Sequence, residues 1–305
     1  MNLTEPKGGF PVLKKNDRIK LRKGKSKAFV FANLIRPNVF PCAEKLVKIL
    51  VKNKIETYMD PGAESYLSVP EIIYSEPDIV LSEVDIVFIV GGDGTILRAA
   101  KNAIIYDKPI IGINAGRLGF LSDIEAESLS EIDKLFKEGC PIEKRTVLDI
   151  SIGEHSTFAI NDVFVSKSEP GKIAELFVEC NGHEVCRYRA DAIVLSTPDG
   201  STAYSMSAGG PVLDTNLNAI IMTPVCPHSL ISCSVVFSPE KIITVGSSLN
   251  GGEKDLDVVV DGEKMFTLKK DEKLSVKCSE KSVKFINLSG RGFYEVLNQK
   301  IIGRR

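Results

Sequence analysis

Residues 86–98 read IVFIVGGDGTILR, and within them lie the side chains and glycines best placed to do chemistry. An apolar, β-branched run at 84–90 leads into Gly91, Gly92, Asp93, Gly94 and Thr95, and a helical spacing follows at 96–105. Glycines between a strand and a helix let backbone N–H groups converge on an anion, and the helix N-terminus adds a favourable dipole. Gly91, Gly92, Gly94 and Thr95 therefore form a candidate phosphate cradle. Asp93 is the odd member. A carboxylate beside phosphates is repulsive unless it holds a metal, grips a hydroxyl or takes a proton, which points to phosphoryl transfer rather than nucleotide docking alone. The same five residues also suit an ordinary tight turn with Asp93 in an Asx-turn.

The elements that must position this loop alternate between strand and helix. Strands are predicted at 27–33, 55–59, 85–90 and 109–114, and an amphipathic helix at 40–52 with Leu46, Ile49 and Leu50 on one face. A short helix is predicted near 69–74. Such alternation implies βαβ units, a parallel sheet, and ligands at the carboxyl ends of its strands. Residues 91–95 and 114–120 both fall at such ends and should face one crevice. Beyond Lys144 the texture changes to short β-rich segments at 148–152, 157–165, 174–180, 192–196, 219–222, 241–245, 257–260 and 274–278. Turn residues at Asn181-Gly182, Asn250-Gly251-Gly252 and Asp261-Gly262 separate them. The expected architecture is an α/β N-terminal domain with a parallel sheet and an all-β, sandwich-like C-terminal domain. A helix at 293–302 returns to the first domain. The expected divisions are a basic extension at 1–25, an α/β domain at 26–145 completed by 285–305, and a β-rich domain at 146–284.

The chain has 305 residues, 43% of them hydrophobic, enough for two cores. Its formal net charge of -1 gives no general pull towards nucleic acid or an anionic membrane. Lys14, Lys15, Arg18, Lys20, Arg22, Lys23, Lys25 and Lys27 crowd one segment, but without interleaved aromatics for base stacking, so a solvated extension is expected. Seven cysteines without CxxC spacing suggest reduced thiols rather than a disulfide framework or a zinc site. No signal core or membrane-length apolar run is present, so a cytoplasmic protein is expected. The common ATP signature GxxxxGKS/T is absent, and no GxGxxG follows the first strand.

Three further segments accompany the glycine loop: NAGRLGFL at 114–121, Asn161-Asp162 within AINDVFVSK, and DAIVLSTPDGSTAYSMSAGG at 191–210. With TPVCPHSL at 223–230 and VDGE at 260–263, the series closely resembles the NAD kinase family, in the same order and over residues 26–302. The resemblance implies phosphorylation of the adenosine 2′-hydroxyl of NAD by ATP, with Mg²⁺ offsetting phosphate charge, at a site between the two domains. It implies that Asp93 accepts the hydroxyl proton while Gly91, Gly92, Gly94 and Thr95 hold ATP phosphates. It also implies NAD-binding roles for Asp93, Gly94, Arg98, Phe120, Asn161, Asp162, Arg189, Asp191, Thr202, Ala203, Tyr204, Ser205, Ser207, Cys226 and Glu263. An amide suits an adenine edge and a carboxylate suits ribose hydroxyls, which fits Asn161 and Asp162, although alone that pair also suits a turn. Arg98 also reads as a solvated helix cation, and Arg189 with Asp191 as an exposed ion pair. Thr202 or Ser201 is the expected N-cap of a short helix.

Some positions depart from the family pattern. Asp199 stands where Thr or Ser is usual and adds negative charge near the expected adenosine pocket. Glu263 replaces a common Gln, Cys233 a frequent Arg, and Ala115 a frequent Leu or Thr. Cys226 and His228 suit a rigid structural connection, and the resemblance implies a homodimer or homotetramer. A lipid kinase also carries GGDGT, but its later Pro-x-Gly-Thr-x-Asn segment is replaced here by GINAGRLGF. A non-catalytic dinucleotide sensor is the other alternative, opposed by Asp93 with both flanking glycines. Polyphosphate in place of ATP stays open, since the cradle reads phosphates and not a base.

Overall fold

Apolar, β-branched runs become the inner strands of a parallel sheet, and the computed structural model describes residues 17–67, 69–116, 119–168, 174–228, 232–247 and 255–302. The parallel strands lie side by side in the order Ile72–Tyr74, Glu56–Met59, Lys27–Ala32, Ile86–Val90 and Ile110–Asn114. Chain order reverses between Lys27–Ala32 and Ile86–Val90, the topological switch point outside which α/β sheets bind ligands. All five residues of Ile86–Val90 and of Ile110–Asn114 are buried, which explains their unbroken apolar character. Helix Val39–Lys52 buries Val39, Cys42, Ala43, Leu46, Val47 and Leu50 against one face of the sheet, with Ile49 packed at the margin. Helix Asp93–Ile105 covers the other face through Ile96, Ala99, Ala100, Ala103 and Ile104.

One expected helix is absent. Ile72–Tyr74 is a strand paired in parallel with Glu56–Met59, and the short helix comes later, at Pro77–Val80. Two adjacent β-branched residues followed by an aromatic fit a pleated edge better than a helical turn. The basic segment is also less detached than its charge suggests. Arg18 and Ile19 pair with Pro141 and Cys140, and Leu21 is buried. Lys14 and Lys15 lie outside the described residues.

The second half builds two antiparallel layers around a core that includes Leu148, Val163, Leu176, Leu195, Val245 and Val258. One layer is a six-stranded sheet ordered Val235–Phe237, Ile220–Val225, Ala192–Ser196, Asp162–Lys167, Leu256–Val260 and Glu263–Leu268. The other is continuous with the parallel sheet. Strand Leu274–Ile286 pairs antiparallel with Ile242–Ser247 and Cys140–Ile152, then parallel with Ile110–Asn114 at Phe285. The β run expected at 157–165 is two strands, His155–Ala159 and Asp162–Lys167, because the chain changes sheets at Ile160 and Asn161. The expected turns at Asn181-Gly182 and Asp261-Gly262 take positive φ at both residues, as two-residue hairpins of right-twisted strands require. Residues 250–252 lie outside the described residues.

The tail returns to the first domain. The Asp123 carboxylate accepts the N–H groups of Leu288 and Ser289 and the Ser289 hydroxyl, and Arg291 donates to the Asp123 carbonyl. Helix Phe293–Leu297 then passes into a π-turn at Asn298–Ile302.

Candidate active site

The glycines of the 91–95 loop divide the work. Gly91 N–H donates to Ile113 O at 2.9 Å, binding the loop to the neighbouring strand. A Cβ on Gly91 would lie 2.7 Å from Thr95 Cβ, so this glycine permits packing. A Cβ on Gly92 or Gly94 would meet nothing within 4 Å, so these two border open space where an anion can approach the backbone. Gly92 caps helix Asp93–Ile105, and its carbonyl receives the N–H groups of Thr95 and Ile96. First-turn amides have no intrahelical acceptor, and the dipole there favours negative charge.

Asp93 joins the two loops expected to share a crevice. Its Oδ2 accepts Phe120 N–H at 2.9 Å and its Oδ1 accepts Leu121 N–H at 3.2 Å. A Cβ on Gly119 would lie 1.6 Å from Asp93 Oδ1, so the carboxylate occupies that space only because residue 119 is glycine. An ionised carboxylate has about four lone-pair sites. With two engaged by backbone, the acid is fixed in direction and retains capacity to accept a hydroxyl proton. Phe120 is half-buried under the Lys300 ammonium, 4.6 Å from its ring centre. Asn114 is buried, and its Oδ1 accepts Gly116 N–H at 2.7 Å.

Asn161 and Asp162 occupy the corner where the chain passes between sheets. Thr197 clasps this corner: its N–H donates to Asn161 O at 2.9 Å and its hydroxyl to Ile160 O at 2.7 Å. A Cβ on Gly200 would lie 1.9 Å from Asn161 O, so the 197–203 loop packs directly on the corner. Asp162 is buried and accepts Tyr204 N–H. Burial, reinforced by the nearby Asp261 charge and opposed by that N–H, raises its acid to about 7.

The segment after the loop differs in detail from its expected form. The helix cap is Ala203, without a side-chain bond; the Ser201 and Thr202 hydroxyls donate back to Pro198 O and Asp199 O instead. These short hydroxyls close their own turn rather than the next helix. Tyr204 is half-exposed and edge-on to Phe164, with ring centres 5.0 Å apart, and Ser207 is exposed. Ser205 is buried, 3.1 Å from the Thr223 hydroxyl, which in turn lies 3.1 Å from that of Ser234.

Asp199 is not a free charge beside the pocket. Arg145 Nη1 donates to it at 2.7 Å, and Arg145 Nη2 reaches Glu143 at 2.6 Å. Burial pushes the Asp199 acid up while Arg145 opposes the shift. Both residues line an interdomain cleft, together with Phe120, Thr202, Phe285 and Arg291. Of the residues expected at the site, Phe120 and Thr202 line that cleft; Asp93 with Gly91, Gly92, Gly94 and Thr95 does not, nor do Arg98, Asn161, Asp162, Arg189, Asp191, Ala203, Tyr204, Ser205, Ser207, Cys226 and Glu263. Arg98, Arg189, Cys226 and Glu263 are exposed, and Cys226 has φ +48°. Asp191 pairs with Lys167 at 2.5 Å, rather than with Arg189. Among the described residues, no cluster of three His, Cys, Asp or Glu side chains is arranged to hold a metal ion.

Residues that sequence reasoning missed are the ones that fix others. Gly119 lay inside a quoted segment, and its signal was a glycine just past a buried parallel strand. Arg145 carried none, because its partner is 54 residues away.

Comparison with known proteins settles the lineage. Residues 29–139 match the ATP-NAD kinase N-terminal domain and residues 160–288 the ATP-NAD kinase C-terminal domain. The NAD kinase of Natranaerobius thermophilus is 34% identical over 277 residues, covering 89% of this chain and 96% of that protein. The chain belongs to the NAD kinase family. Another member, the NAD kinase of Caldicellulosiruptor bescii, is 38% identical over 70% of this chain and 80% of its own length. Among solved structures, an NAD kinase from Archaeoglobus fulgidus in complex with ATP superposes with a TM-score of 0.69 at 25% identity, covering 91% of this chain and 97% of that one. Yeast NADH kinase complexed with NADH shares the family fold, with a TM-score of 0.82 at 20% identity and coverage of 95% and 94%. These matches give no support to the lipid-kinase or sensor alternatives.

Proposed function

We propose that this chain transfers the terminal phosphoryl group of ATP to the adenosine 2′-hydroxyl of NAD, forming NADP and ADP, with Asp93 receiving the hydroxyl proton. The observation that carries the assignment to Asp93 is its carboxylate, aimed by the Phe120 and Leu121 amides beside two glycines that border open space. The 2′-oxygen forms a bond to the γ-phosphorus, the bond from that phosphorus to the β–γ bridging oxygen breaks, and ADP leaves with the electron pair. Catalysis is then mainly positioning and charge neutralisation. Mg²⁺ brought with ATP to the Gly91–Thr95 loop would supply that neutralisation.

Gly91, Gly92, Gly94 and Thr95 are assigned to the phosphates. Asn161, Asp162, Phe120, Thr202, Ala203 and Tyr204 are assigned to the adenosine half of NAD, with Ser207 at its margin. Arg98, Arg189, Cys226 and Glu263, all exposed, and Asp191, half-buried beside Lys167, are assigned to its periphery. Ser205 acts through the hydroxyl chain beneath the pocket. We further propose a homodimer or homotetramer working in the cytoplasm, without nucleic acid; among the described residues no helix is long and apolar enough to cross a membrane. The test is a coupled assay of purified protein with NAD, Mg²⁺ and either ATP or polyphosphate. NADP formed with ATP, and lost in Asp93→Asn, supports the assignment; Asp93→Asn turning over like the parent refutes it.

A further inference from the structure

Asp261 sits at the tip of the hairpin joining Leu256–Val260 to Glu263–Leu268, and its side chain is 1% exposed. Its carboxylate gathers three consecutive backbone donors from another strand connection: Ile160 N–H at 3.1 Å, Asn161 N–H at 2.8 Å and Asp162 N–H at 3.3 Å. The Asp261 N–H donates back to Asp162 O at 2.9 Å. Lys101 Nζ lies 3.3 Å from the same carboxylate. Lys101 belongs to helix Asp93–Ile105, eight residues beyond Asp93, or about 12 Å along the axis.

We propose that Lys101 and Asp261 are a positioning couple that holds the Asn161–Asp162 corner in register with Asp93, so that the ribose hydroxyl meets the acid that takes its proton. This rests on the reading of Asn161 and Asp162 as the adenosine corner. Three backbone amides already anchor the Asp261 carboxylate to the corner. The lysine adds a tie between the helix carrying the phosphate loop and the domain carrying the dinucleotide. Buried ion pairs contribute little net stability compared with apolar packing, whereas they do fix geometry.

The couple also faces Asp162 electrostatically. Around that acid stand Asp261 from the hairpin, the Tyr204 N–H from the following loop, and Lys101 from the helix acting through Asp261. Removing Lys101 leaves Asp261 uncompensated and makes Asp162 harder to ionise. Removing the Asp261 charge does the reverse.

The test uses the full chain carrying Lys101→Met, Lys101→Arg, Asp261→Asn or Asp162→Asn, with kcat, KM for NAD, KM for ATP and the pH profile of kcat/KM for NAD. Lys101→Met is expected to lower kcat/KM for NAD roughly 10- to 100-fold, the scale of an ångström-level misplacement, with KM for ATP little changed. Lys101→Arg should recover most of the loss. The acid limb of the NAD profile should move to higher pH in Lys101→Met and to lower pH in Asp261→Asn. A folded Lys101→Met protein with parental kcat, KM and pH profile overturns the proposal, even if Asp261→Asn does not fold, because Lys101 is on the helix surface. Parental KM for NAD in Asp162→Asn would remove the adenosine-corner reading, and the couple with it. A raised KM in Asp162→Asn beside a parental Lys101→Met would sink the couple alone.

Discussion

The glycine crevice around Asp93 and the corner at Asn161–Asp162 both hold a carboxylate with main-chain amides, and differ in what is added to them. At the crevice, position comes from missing side chains and from main-chain amides. Gly119 clears space for Asp93, Phe120 and Leu121 donate to it, and Gly92 and Gly94 leave the approach open. At the corner, the Asp261 carboxylate likewise takes three main-chain amides, and charges brought from far along the chain are added: Lys101 on Asp261, and Arg145 on Asp199. Residue 119 tolerates no added Cβ, whereas the charge pairs do not tolerate the loss of one partner.

The sharpest way to break this contrast is Gly119→Ala. The new Cβ needs the space of Asp93 Oδ1, so kcat should fall by about 10²- to 10⁴-fold, matching Asp93→Asn and the worth of a general base. Steady-state kinetics together with a circular-dichroism melt would separate that loss from unfolding. Parental kcat in Gly119→Ala would mean the acid is not fixed by backbone.

Next in size is Arg145→Met, which strands the buried Asp199 carboxylate. Urea unfolding should show a loss of about 3 kcal/mol, and Asp199→Thr in the same background should return most of it. Failure of the second change to rescue the first would deny that charge balance governs this region.

The pH response of Asp162 refines the comparison further. Its folded acid titrates near 7 against 3.8 for the ordinary group, so the protonated form is favoured in the free protein. Stability from this group is present below about 3.8 and is lost as pH rises through about 7. Binding to ribose hydroxyls needs the opposite state, so kcat/KM for NAD should climb across that same range. Asp162→Asn should flatten the climb, and a profile that is unchanged in the variant would contradict the role of this acid.

The smallest expected effect is Ser205→Ala. Losing one bond of a buried hydroxyl chain should cost about 1 kcal/mol in thermal or chemical unfolding while KM for NAD stays within twofold. A large rise in KM would instead place Ser205 in contact with the dinucleotide.

The same contrast explains what was readable in the chain. The crevice was legible because its devices are local: glycines at fixed offsets after apolar strands, in GGDGT and NAGRLGFL. The parallel strands Ile86–Val90 and Ile110–Asn114 and the turns at Asn181 and Asp261 were legible for the same reason. Ile72–Tyr74 was misjudged because three residues give no period and only the neighbouring strand decides their state. Nothing local marks Arg145 and Lys101, since their partners lie 54 and 160 residues onward. The break at Ile160 and Asn161 had only the turn-prone Asn161-Asp162 pair as a local sign; the change of sheet is a tertiary event.

Strand Leu274–Ile286 carries a further consequence. It is bonded at one end into the antiparallel layer and at the other to Ile110 of the parallel sheet. Its pairing with Cys140–Ile152 slips between Cys278 and Ser282, a bulge of the kind that bends a strand without breaking it. One ribbon thus tethers the two halves, and its own kink sets the angle at which they meet.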